Sequence, residues 1–192
     1  MVSTIVSIIL AGMFTDNMVL SKFLGICPFL GVSKKVGTAV SMGAAVTLVM
    51  VLATAVTWPV CTYLLMPNFE YLQTVVFILI IAALVQLLEI IVKKFFKALY
   101  NAFGIYLSLI TTNCAVLGIT ILNFTDGLNY VESLFNALGA GLGFTLAMFI
   151  FSGVRVRLES SKIPKSLQGL PITLIAAALV SLSFMGFAGI GG

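Results

Sequence analysis

The chain has 192 residues, of which 61% are hydrophobic and 8% charged, with no histidine and a formal net charge of +4. Soluble domains carry about 25% charged residues, so water is excluded as the main solvent of this chain. The lack of histidine removes the usual proton shuttle and the usual zinc ligand, and basic residues tied to helix ends do not form a nucleic-acid surface.

Apolar stretches near the ~20 residues that cross a bilayer place predicted helices, in chain order, at 3–32, 37–66, 70–92, 98–123, 131–153 and 168–188. The expected class is an all-α integral membrane protein of about six transmembrane helices, one membrane domain over 1–192 set in a lipid bilayer. The first span is too long for one straight crossing. Within it Gly25 and Pro28 flank Cys27, and proline removes a backbone donor. In the fourth span Thr111, Thr112 and Asn113 precede Cys114, and such side chains can satisfy backbone groups freed by a break. A broken helix is therefore expected at each of these cysteines. Trp58-Pro59 and Pro67 mark the end of the second helix and the turn after it, and Asn123, Asp126 and Gly127 mark another turn. No basic segment followed by a small-residue cleavage site opens the chain, so no removable signal peptide is expected.

Nine of the ten Lys and Arg residues fall in three places: Lys34 and Lys35; Lys93, Lys94 and Lys97; and Arg155, Arg157, Lys162 and Lys165. These follow the first, third and fifth helices, while the alternate loops carry none. The positive-inside rule then makes these loops cytoplasmic and both termini external.

The chain also resembles itself. Residues 72–87 (LQTVVFILIIAALVQL) and 167–182 (LQGLPITLIAAALVSL) are identical at nine of sixteen positions. In the same order, Thr47-Leu48-Val49-Met50 echoes Thr145-Leu146-Ala147-Met148, and Cys27-Pro28-Phe29-Leu30-Gly31 echoes Cys114-Ala115-Val116-Leu117-Gly118. Helices one to three thus map onto four to six, giving repeats of about 1–95 and 96–192. Each half has an odd number of crossings, so the second half enters from the opposite face. Such inverted repeats place sites near the midplane, where discontinuous helices meet.

A lone cysteine in an apolar helix behaves most often as a small hydrophobe, and Cys61, which has no counterpart in the second half, is read that way. Cys27 and Cys114 hold matching places in the repeat, so pseudo-two-fold symmetry can bring their sulfurs together. A disulfide there would staple the halves, and thiols facing the cytoplasm are usually reduced. Soft thiolates suit copper(I), zinc or iron–sulfur clusters. A [2Fe–2S] cluster takes four cysteines, so two from this chain would need completion by another subunit.

At these residues the chain resembles a known family. FLGICPFLGVSKK at 23–35, LITTNCAVLG at 109–118 and LSFMGFAGI at 182–190 look like the RnfA/NqrE family. Its members are the RnfA subunits of the Rnf ion-translocating oxidoreductases, including the SoxR-reducing complexes, with the NqrE subunit of the sodium-pumping quinone reductase close behind. Pro28 and Thr112-Asn113 are closer to the Rnf branch. The resemblance implies a component of a Na+- or H+-translocating ferredoxin:NAD+ oxidoreductase in a prokaryotic cell membrane (the inner membrane in a Gram-negative organism). It implies pairing with the homologous RnfE, inserted in the opposite sense, which supplies two further cysteines to a mid-membrane [2Fe–2S] cluster. On this chain the ligand role carries over to Cys27 and Cys114 alone. Flavin and iron–sulfur subunits on the two faces would exchange electrons through the cluster.

This chain has no Ser-Gly-Ala-Thr site of the kind that carries covalent flavin in sister subunits, and no strand–GxGxxG–helix nucleotide loop. It is therefore not expected to be catalytic alone. The glycines of Gly139-Ala140-Gly141-Leu142-Gly143 lie in an apolar helix and suit close helix packing. Asp16, Asn17, Lys22 and Glu89 are the polar residues expected at or near membrane depth, where ionisable groups are functional candidates. Glu89 has the spacing to pair with Lys93, whereas Asp16 and Lys22, six apart, would not share a helical face closely. A secondary transporter of the same architecture would need polar groups at the helix breaks. Here they hold cysteines, glycines and a proline, which favours the redox reading.

Overall fold

The computed structural model describes residues 2–32, 36–65, 73–95, 109–110, 112–161, 163–164 and 166–188. Among these there are helices and turns and no strand. α1 (Val2–Leu10) runs on through a π-helical turn, Ala11–Thr15, and α2 is Ile26–Val32. α3 is Val36–Val60, followed by a second π-helical turn, Cys61–Leu65, and α4 is Gln73–Phe95. α5 is Cys114–Thr125, α6 is Tyr130–Glu159 and α7 is Leu170–Ala188. The stretches Val36–Tyr63 and Tyr130–Leu158 are long and apolar enough to cross a membrane, and shorter apolar helices cover Thr74–Leu88, Cys114–Thr125 and Leu170–Gly186.

α3 and α6 form the centre. α1 lies against α6, while α5 lies against α3, so each broken helix packs on the long helix of the other half of the chain. α4 borders α3 and α5, and α7 borders α6 and the turn after α1. Both outer helices expose apolar side chains, among them Ile78, Leu79 and Ile90 of α4 and Leu174, Leu179 and Leu182 of α7. Two rows of bare leucine and isoleucine would be a liability in water but suit acyl chains. The opposite face of α4 buries Phe77, Ile81 and Val85 at four-residue spacing, as one side of a helix must.

The central crossing is close because glycine permits it. A Cβ on Gly43 would stand 2.6 Å from Thr145 Oγ1 and 2.9 Å from Thr145 Cα, and a Cβ on Gly141 would stand 2.5 Å from Thr47 Cγ2. Thr47 donates to the Gly43 carbonyl at 2.8 Å, Thr145 to the Gly141 carbonyl at 2.9 Å, and the two hydroxyls meet at 3.4 Å. Each helix thus offers a glycine to the other's threonine. Small residues of this kind drive helix association where no hydrophobic effect is available. Gly139 lies against Ile9, and Gly143 against Gly12 and Met13, so the same glycine run also seats α1.

Several boundaries differ from those expected. Pro59 does not end the second helix: α3 continues through it to Val60. Proline cannot donate to the carbonyl four residues back, and the π-helical turn from Cys61 follows directly, a common local adjustment. Asn123 is inside α5 rather than in a turn. It is buried, its Nδ2 donates to the Ser133 carbonyl at 3.3 Å, and Asn136 donates to its Oδ1 at 2.8 Å. The turn falls at Asp126–Gly127, where Gly127 has φ +64°. α6 reaches Glu159, beyond the predicted end at 153, with no proline to interrupt it, and its start is fixed by a capping box in which the Asn129 N–H donates to the Glu132 carboxylate at 3.1 Å. The predicted start of the fourth helix at 98–108, the loop Lys34–Lys35, and the Glu89 and Lys93 side chains lie outside the described residues.

Candidate metal centre

Both cysteine-bearing helices follow a break, and in each the break lies just ahead of the cysteine rather than at it. In the first, residues 16–25 leave the helix, with Phe23 at φ +56° and Gly25 at φ +86°. Asn17, fully buried, organises this segment. Its Oδ1 accepts from the N–H groups of Val19 (3.0 Å) and Leu20 (3.3 Å), and its Nδ2 donates to the carbonyls of Gly143 (2.9 Å) and Met13 (3.2 Å). The Ser181 hydroxyl of α7 donates to the freed Leu20 carbonyl. Irregular backbone at membrane depth persists only when its polar groups are satisfied in this way. Cys27 is then the second residue of α2. Pro28 falls in the first turn, where its missing N–H is not needed, so it starts the helix rather than breaking it. At the far end of α2 the buried Arg155 guanidinium donates to the Leu30 carbonyl at 2.5 Å. A cation there complements the helix C-terminus.

In the second break Leu109–Ile110 are helical, Thr112–Asn113 are not, and Cys114 is the first residue of α5. Asn113 caps that helix, its Oδ1 accepting from the Ala115 N–H at 3.0 Å.

The two segments adjoin. A Cβ on Gly25, two residues before Cys27, would stand 3.1 Å from Asn113 Oδ1 and 3.1 Å from Ala115 Cβ, the residues on either side of Cys114. Gly118, four after Cys114, receives Leu24, whose Cδ1 would be 2.6 Å from an added Cβ, and Gly31, four after Cys27, faces Leu109 at 3.8 Å on the same measure. Both thiols are exposed. Cys61 is buried beside Phe77, away from this seam, in a small cluster with Val76, Ile121 and Phe124. Among the described residues no three His, Cys, Asp or Glu side chains group to hold a metal ion. Two exposed thiols at the starts of adjoining helices could act as soft donors to a metal, with further ligands from outside the chain.

Gly25 is where this seam is least tolerant. Beyond its left-handed backbone, a Cβ there would meet Phe144 Cε2 at 2.9 Å. Gly25→Ala is expected to destabilise the chain by about 1–3 kcal/mol, the range for forced overpacking. Thermal unfolding of the purified protein checks this.

Of the charged residues, Asp16 and Lys22 do come together: Lys22 Nζ is 3.8 Å from an Asp16 carboxylate oxygen, both side chains being exposed. The expectation that their spacing would separate them assumes a helix, and the intervening backbone is not one. They line a cavity of about 180 Å³ with Asp126 and Asn136. Arg155, read from sequence as one of the cytoplasmic loop charges, lies inside α6 and holds α2.

The sequence profile of the Rnf–Nqr subunits, described as membrane proteins, matches residues 5–191. The chain belongs to the Rnf–Nqr family. This Rnf–Nqr chain is 56% identical, over 97% of each chain, to the subunit designated A in the Na(+)-translocating ferredoxin:NAD(+) oxidoreductase complex of Acetobacterium woodii. Its identity to the correspondingly lettered subunits of the ion-translocating oxidoreductase complexes of Syntrophotalea carbinolica and Azoarcus sp. is 50% and 49%, each over 95% of both chains.

Proposed function

We propose that this chain is the RnfA component of an ion-translocating ferredoxin:NAD+ oxidoreductase complex in a prokaryotic cell membrane, moving Na+ or H+. On this reading it relays electrons through a mid-membrane [2Fe–2S] cluster shared with a homologous, oppositely inserted partner, RnfE. Near-full-length identity to the equivalent subunits of such complexes supports the complex. The observation that carries the site is the seam itself: two exposed thiols at the starts of adjoining helices, with no further ligand of their own chain grouped beside them among the described residues.

Cys27 and Cys114 would hold the cluster, and when bound it supplies one-electron transfer between redox subunits on the two faces. The chain's own part is to fix two thiolates on short, capped helices, with Asn17 and Arg155 holding the first and Asn113 the second. Flavin and iron–sulfur subunits are the partners on either side, and no covalent flavin is assigned to this chain.

Inverted repeats fit the same reading. The reciprocal Gly43–Thr145 and Gly141–Thr47 contacts, and the exchange by which α1 packs on α6 and α5 on α3, are what a two-fold axis in the membrane plane would produce. The Lys/Arg-bearing loops would be cytoplasmic and both termini outside.

The test is thiol footprinting of the purified complex by mass spectrometry. With iron in place, Cys27 and Cys114 are expected to resist alkylation by N-ethylmaleimide. After oxidative removal of iron with a chelator both should react, and Cys61 should stay protected by burial. Free alkylation of Cys27 and Cys114 in the iron-replete complex would sink the shared cluster.

A further inference from the structure

The two breaks each carry a buried asparagine, and the two are not equally satisfied. At Asn17 the carboxamide is fully used: the oxygen takes two backbone N–H groups and the nitrogen gives to two carbonyls. Asn113 repeats only the first half. Its Oδ1 caps Ala115, but its Nδ2 is buried with no hydrogen-bond partner among the described residues, and the residue is 4% exposed. An amide donor left bare at membrane depth is costly, and buried polar groups are rarely left so without a reason. The carboxamide is wedged between Gly25 and Ala115, in the seam between the Cys27 and Cys114 helices. What this location lacks is an acceptor, and the chemistry proposed for the seam brings one: sulfur.

We infer that Asn113 donates an N–H···S hydrogen bond through Nδ2 to a sulfur of the iron–sulfur group held by Cys27 and Cys114, and thereby raises its reduction potential. This rests on the function proposed above. Hydrogen bonds to the sulfurs are among the factors that set cluster potentials. Reduction adds one electron, drawn from a flavin or iron–sulfur subunit of the complex, with no bond broken and no proton moved. The added negative charge strengthens the N–H···S bond, so the reduced form gains more from Asn113 than the oxidised form. Asn113 is a positioning residue: it acts on the electron carrier through its ligand shell.

The experiment is an EPR-monitored redox titration of the purified complex carrying Asn113→Ser or Asn113→Ala. Serine keeps a helix cap and loses the amide donor, whereas alanine loses both. Both variants are expected to hold less of the reduced form at a fixed ambient potential, by about tenfold, which is a fall of ~59 mV for one electron. A purely structural role predicts a wild-type potential in Asn113→Ser, and that result with iron retained overturns the inference. If both variants lose the cluster, the wild-type complex decides. With asparagine side chains labelled with 15N, pulsed EPR of the reduced centre should show coupling to a labelled nitrogen, and its absence overturns the inference. Failure of the underlying reading looks different. In that case Cys27→Ser and Cys114→Ser leave the iron–sulfur signal untouched, and the inference falls with it.

Discussion

Replacing Cys27 or Cys114 by serine is expected to abolish one and the same reducible iron–sulfur signal, and with it ferredoxin-driven NAD+ reduction by the complex. Serine keeps the size of cysteine but not the soft thiolate that suits iron–sulfur ligation. Losing a hydrogen-bonded supporter of a metal ligand costs about 10–100-fold in metal affinity or activity, and loss of a ligand itself should exceed that. The two substitutions should not add. A centre missing one of its ligands is already lost, so the double variant falls no lower than either single one, as for other groups that act as a unit. Cys61→Ser is the control: Cys61 is buried against Phe77, outside the seam, and its variant should keep both the signal and the activity. EPR of the reduced complex, iron content and the NAD+ reduction rate check this together. A signal that survives in either Cys27→Ser or Cys114→Ser would return these cysteines to the role of small packing residues.

The broken backbone ahead of Cys27 and Cys114 is legible in the sequence because the residues that allow it are local. Gly25 ahead of one thiol and Asn113 ahead of the other announce irregular backbone, whereas Pro28 begins α2 instead. The echo of Thr47 in Thr145 is also visible there, and those are the threonines that meet at the central crossing. What the echo does not disclose is the matching pair Gly43 and Gly141, four residues earlier in each helix. In helices apolar on every side, a small residue at the contact leaves no period to read. Three of the departures share one cause. The separation expected for Asp16 and Lys22, the turn assigned to Asn123 and the loop assigned to Arg155 all treat a polar residue as a mark of helix geometry or helix end. In the structure the chain between Asp16 and Lys22 is irregular, while Asn123 and Arg155 bind Ser133 and Leu30, on other elements. Such partners are not encoded in neighbouring sequence, and inside a membrane they are what makes a buried polar side chain tolerable.

The second large effect is expected at that crossing. A methyl group on Gly141 would lie 2.5 Å from Thr47 Cγ2 and 2.8 Å from its Cβ, so Gly141→Ala forces α3 and α6 apart. Overpacking of this kind costs about 1–3 kcal/mol. The upper part of that range is expected here, because α3–α6 contact forms the centre on which both broken helices rest. The three atoms nearest a methyl group on Gly141 all belong to the Thr47 side chain, so Thr47→Gly should clear the worst of the obstruction. The double variant should show a favourable coupling of about 0.5–3 kcal/mol in a mutant cycle, even though a glycine in a helix costs roughly 0.5–1 kcal/mol by itself. The reciprocal site should behave differently in one respect. A methyl group on Gly43 would meet Thr145 Cα at 2.9 Å as well as its side chain, so Gly43→Ala is expected to be the more damaging variant and Thr145→Gly to rescue it less. Reversible SDS unfolding of the detergent-solubilised chain would measure all four single variants and both doubles. Full rescue at both positions would mean the helices approach through side chains only. No coupling at either would mean that α3 and α6 do not cross at these glycines, and the reciprocal contact that supports an inverted repeat would be lost with it.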